Sequence, residues 1–212
     1  MKEQIIFGSV FLVLLIIFLY FDFKYDLLKD SSAAVKKPYS YSRVQLAWWT
    51  LIILSSFISI VIVKSKIPEL DPSTLILIGI SSATIATGRL IDVSDQKDPT
   101  IYRYQNNERK GLLLDIISDQ NGASIHRLQT VLFNLTFGIW MITMVFNNLT
   151  DCSIIDVSKI IPNIQSNNLV LLGLSSATYA ALKIPENSST KNSTSLQEKV
   201  KEEAKDDNTK KE

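Results

Sequence analysis

The chain has 212 residues, 46% of them hydrophobic and 20% charged, and a formal net charge of +1. The average conceals two populations, long uncharged blocks and short charged connectors, which is the composition of a membrane protein. A near-neutral balance excludes the broad basic field of a nucleic-acid-binding domain. One cysteine and one histidine exclude a disulfide framework and a thiolate metal centre, so neither metal nor cofactor is expected.

Residues 5–21 carry no charge and make roughly 25 Å of helix, enough to span with help from flanking side chains. Residues 1–23 therefore read as an N-terminal transmembrane anchor. Only Lys2 precedes the apolar run and a charged stretch, Asp22 to Asp26, follows it, so an uncleaved anchor fits better than a signal peptide. Residues 24–41 are a cationic linker with Lys29, Lys36 and Lys37, and Pro38 keeps a helix from running through it.

A first hairpin is expected over 42–90. Ser42 and Gln45 have the spacing of a capping box, residues 46–63 are uncharged, and Trp48 and Trp49 stand where an interfacial aromatic belt would put them. A turn holding Pro68 and Pro72 leads into a short uncharged helix over 74–88 containing Gly79-Ile80-Ser81-Ser82-Ala83-Thr84. Residues 91–123 are a connector. Within it 111–120 has Leu112, Leu113, Ile116 and Ile117 on one helical face and Asp115, Ser118 and Asp119 on the other. An acidic polar face suits docking on protein better than on anionic lipid.

The second hairpin, 124–185, restates the first. Ser124, His126, Arg127 and Gln129 match Ser40, Ser42, Arg43 and Gln45 at an offset of 84, and Gly173-Leu174-Ser175-Ser176-Ala177-Thr178 matches the Gly79 motif at 94. A loop ten residues longer in the second half accounts for the difference. Two repeats of two helices must point the same way, which gives a parallel tandem duplication. Residues 186–212 hold few apolar side chains and are expected to be a disordered tail.

The fold class is thus an all-α integral membrane protein: two parallel two-helix hairpins plus an N-terminal helix, five spans. Of the 22 Lys and Arg, 18 fall in the connectors at 24–45, 88–127 and 183–212. The positive-inside rule then places the N-terminus outside and the C-terminus in the cytoplasm.

Two groups of residues are site candidates. Gly79, Ser82, Ala83 and Ala86, with Gly173, Ser176, Ala177 and Ala180, give each repeat a small-residue face, either for helix packing or, through the hydroxyls, for lining a pore. Arg43 and Arg127 open the two hairpins and are placed to snorkel to lipid phosphates. Alternatively they close a cytoplasmic clasp with Asp115 and Asp119, or form an anion site. No acid or base lies inside an expected span, which removes the usual intramembrane proton relay.

These same stretches, Ser42 to Trp49, Gly79 to Thr84, Asp115 to Gly122, His126 to Gln129 and Gly173 to Thr178, resemble those of a family of bacterial inner-membrane proteins over about residues 40–186. The resemblance implies a bacterial plasma membrane and no particular activity. The reading is a non-enzymatic protein whose partners are the lipid bilayer, further copies of itself, and a protein engaging the connector or tail. It serves as a pore-like assembly or as the membrane module of a larger complex. The alternative is a transporter of a small neutral or anionic solute. An enzyme would have only Asp115, Asp119 and His126 to work with.

Overall fold

The computed structural model describes residues 1–97, 108–119, 122–151 and 153–184. Its elements are α1 (Lys2–Tyr25), α2 (Tyr41–Lys64), α3 (Pro72–Gln96), α4 (Leu112–Ile117), β1 (Ser118–Asp119), β2 (Gly122–Ala123), α5 (Ile125–Asn148), a 3-10 turn at Val157–Lys159, and α6 over 166–184. Four helices, α1, α2, α3 and α5, are long and apolar enough to cross a membrane. The tail expected over 186–212 and the single cysteine, Cys152, lie outside the described residues.

Local chemistry sets the helix ends. Asp71 caps α3 by accepting the Ser73 amide at 2.8 Å, and Pro72 supplies the preset φ of the first turn. Asp26 and Ser65 close α1 and α2 in the left-handed region, at φ 56° and 52°, each returning its amide to the carbonyl four residues back. Asp26 lets the chain reverse there. The linker then folds onto the bundle as a strap: the Asp30 amide donates to Pro38 O and the Ser40 amide to Leu28 O. Asp22 is buried at the end of α1, where its carboxylate accepts the Leu28 amide and the Tyr39 hydroxyl. Hydrogen bonds from Lys29 and then Lys37 hold the Asp26 carboxyl below its ordinary range.

The core is built around α2, which packs against α1, α3 and α5. Trp49, Ile52 and Ile60 are fully buried, and Ser55, Ser56 and Ser59 return their hydroxyls to carbonyls of their own helix. Only Phe7 and Asp22 of α1 are buried; Phe11 and Phe18 are half-buried against the bundle, while Leu12, Val13, Ile16, Leu19 and Tyr20 are exposed. The long 151–165 loop is more than a spacer. Ile160, Ile161 and Ile164 enter the core, the Asn148 side chain donates to Ile160 O, and the Ile164 amide donates to Ser73 Oγ, so these residues between α5 and α6 seal the start of α3.

Several local expectations differ. The helix after the first glycine motif continues to Gln96, because nothing between Gly88 and Gln96 breaks it and Asp92 has a buried partner. The Ser42–Gln45 box does not form: Ser40 is the N-cap, and Gln45 is buried. Trp48 and Trp49 turn inward, since their indole N–H groups find acceptors on α5. The connector helix ends at Ile117 rather than 120. Ser118 and Asp119 pair with Ala123 and Gly122 in a short antiparallel ladder, to which Gly122 contributes a φ of 104° that other residues rarely adopt. That helix docks through buried Ile116, while Leu112, Leu113 and Leu114 are exposed.

Candidate functional site

The centre of the bundle is polar. Asn134 of α5 accepts through Oδ1 from Trp49 Nε1 at 2.7 Å and Gln45 Nε2 at 3.3 Å, and its Nδ2 donates to Tyr41 OH and Thr130 O. Gln45 also donates to Ser176 Oγ on α6 at 3.0 Å, so one cluster ties three helices. Trp48 reaches the Asn134 carbonyl across Gly138, where any added Cβ would overlap the indole. In the sequence Asn134 stands out only as the most polar residue of its run; its partners on α2 lie 85 to 93 positions upstream and leave no local signal.

Arg127, 7% exposed, lies with its guanidinium 5.2 Å from the Tyr179 ring and donates to Ser118 O. Tyr179 packs on Tyr41 with ring centroids 4.6 Å apart. Asp115 accepts the Tyr39 and Lys110 amides. The connector is thereby fastened from both sides, Arg127 holding β1 and Asp115 holding the entry to α2. Arg43 is not part of this cluster. It turns to the other side of α2, toward Ser31 Oγ at 3.5 Å. Asp119 stays near α5, within electrostatic reach of His126, which accepts or donates a 2.6 Å hydrogen bond with Ser124.

Arg43 lines a cavity of about 400 Å³ at the end of the bundle where α1 and α3 finish and α2 begins. Its polar mouth holds Arg43, Arg89, Asp30, Ser40, Ser42 and Asp92, and its walls are Phe18, Leu27, Leu46 and Ile85. Arg89 donates to the same Ser31 hydroxyl at 2.7 Å. Behind the mouth, Lys183 pairs with Asp92 at 3.0 Å, with side chains 2% and 5% exposed, and passes over Gly88. No charge was expected inside a span; the helical extension of α3 past Gly88 carries Asp92 and faces it to Lys183 at the last turn of α6.

The repeated glycine motif does not repeat its packing. On α3 the buried line is Thr74, Leu77, Ser81, Thr84 and Gly88; on α6 it is Leu169, Leu172, Ser176, Tyr179 and Lys183. At an offset of 94 the second line is one position further on, a rotation of about 100° about the helix axis. Hence Arg89 is exposed while its counterpart Lys183 is buried, and Ser82 is exposed while Ser176 is buried. The first helices differ in the same way: Gln45 is buried and Gln129 exposed. Between α3 and α6 lies an open groove of about 320 Å³, lined by Ala83 and Thr87 on one side and Gly173, Ser176, Ala177 and Ala180 on the other. Gly79, Ser82 and Ala86 lie exposed outside it, with nothing within 4 Å of a Cβ added at Gly79.

The arrangement is that of a helical membrane protein with a hydrogen-bonded centre, an apolar seal at one end and a charged cavity at the other. Comparison with protein-family models, with curated proteins and with solved structures finds no match.

Proposed function

We propose that the chain is a non-enzymatic, five-span protein of a bacterial inner membrane, with the N-terminus outside and the C-terminus in the cytoplasm, that works as a homo-oligomeric membrane module. The fifth span is α6, whose 166–184 range supplies about 28 Å of helix. The distribution of cations supports the orientation.

The observation that carries the oligomer is the open groove between α3 and α6. Apart from Ile80, which packs at Gly173, its lining is glycine, alanine and hydroxyl residues, so a ridge of a neighbouring helix can approach both backbones closely around Ala83, Ala177 and Ala180. Lipid tails fill such a groove poorly, and helix association in a bilayer rests on close packing. The pore branch is weaker within one protomer, because Ser81 and Thr84 donate to carbonyls of their own helix. A partner protein docking on the 91–123 connector would complete the module.

The test is crosslinking in native membranes followed by native electrophoresis in mild detergent. Wild type should run as an oligomer, and Ala83→Leu with Ala177→Leu should shift it to monomer while leaving expression unchanged. A wild type that stays monomeric in the membrane defeats the reading. Single-channel events from purified protein in planar bilayers would move it from module to pore.

A further inference from the structure

The charged cavity has no occupant among the described residues. Arg43 and Arg89 come from different helices and converge on one neutral hydroxyl, Ser31 Oγ, at 3.5 and 2.7 Å. Among the described residues neither guanidinium has a carboxylate within ion-pair distance. Bringing two like charges to one atom is unfavourable unless an anion sits between them. The carboxylates nearby are already engaged. Asp92 pairs with Lys183, and Asp30 accepts the Ser31 amide and lies within reach of the same lysine. Counting Lys183, three cations face two carboxylates among the described residues at this mouth, an excess of positive charge in that set.

The rest of the cavity is not that of a free-ion site. Phe18, Leu27, Leu46 and Ile85 make one side greasy, and they come from the ends of the apolar runs of α1, α2 and α3 and from the strap. Charge and grease meet where these runs give way to polar sequence, the level at which a bilayer turns from headgroup to hydrocarbon. A guanidinium pair matches the oxygens of a phosphate bidentately.

We propose that this cavity binds the phosphate group of an anionic amphiphile, Arg43 and Arg89 taking the phosphate oxygens and the Phe18–Leu46–Ile85 wall taking the first carbons of the chain. A membrane phospholipid is the source that the apolar wall selects, against soluble phosphate.

The proposal is tested by native mass spectrometry of the full chain in mild detergent, titrated with phosphatidylglycerol, with phosphatidylcholine, and with phosphatidylglycerol plus millimolar inorganic phosphate. Wild type should retain phosphatidylglycerol about tenfold better than phosphatidylcholine, a margin that two charge-assisted contacts supply. Arg43→Gln with Arg89→Gln should abolish that preference. Ala47→Trp, which keeps every charge and fills the cavity from α2, should abolish retention of the lipid. Equal retention of the two lipids by wild type, or an unchanged preference in the double variant, overturns the site. Full displacement by inorganic phosphate overturns the amphiphile. The oligomeric state is read in the same spectra, so loss of lipid and loss of assembly are separate results.

Discussion

Asn134 gathers the buried polar network between α2 and α5. Its oxygen takes two donors and its nitrogen serves two acceptors, in a stretch of α5 that is uncharged after Arg127. Replacing it by Leu keeps the volume close but strands the Trp49 indole N–H, which has nowhere else to turn. We expect Asn134→Leu to lower the midpoint of thermal unfolding in detergent by an amount equivalent to about 1–2 kcal/mol, the scale of interhelical hydrogen bonds in membranes. The emission of Trp49 should shift in the same variant. An unchanged midpoint would show that the network is dispensable. The residue is visible in the sequence, but its importance is not, because every partner but Thr130 is on another helix.

The helices behave as units whose faces are chosen by neighbours. The two glycine motifs are nearly identical as text, yet α3 and α6 bury lines that differ by one position. The α6 line ends on Lys183, and the α3 line, extended one turn past Gly88, ends on Asp92; the pair joins the two helices at 3.0 Å. Removing one member of a buried pair leaves an uncompensated charge, whereas removing both does not. Lys183→Met alone and Asp92→Leu alone should each lower stability by about 3–5 kcal/mol, and the double variant should recover most of that loss in the same chemical-denaturation assay. Additive losses would mean that the two side chains act independently. A periodicity reading finds which residues are small or apolar; it cannot find which of two adjacent faces a twin helix will occupy.

The whole molecule is polarised along its long axis. One end is closed by apolar loop residues, Ile160, Ile161 and Ile164, and the other gathers Arg43, Arg89, Arg127 and Lys183. If the charged end is cytoplasmic, the 151–165 loop is outside, and the single cysteine reports it. Cys152 should react with a membrane-impermeant maleimide on intact cells, after the outer barrier is permeabilised. Labelling that appears only after lysis would reverse the orientation and would place the lipid cavity in the opposite leaflet.

The sequence by itself determined that the chain is mostly helical, that its helices are apolar enough for a membrane, and where its long apolar runs lie. Those properties follow from composition and from residues near one another along the chain. Tertiary structure alone decided that the tryptophans face inward, that the 24–41 linker is a strap, that Arg127 locks the connector while Arg43 turns to a cavity with Arg89, and that twin motifs face different ways. Each of these depends on groups from separate helices meeting at hydrogen-bond or ion-pair distance, and neither spacing nor hydropathy along one chain contains that distance.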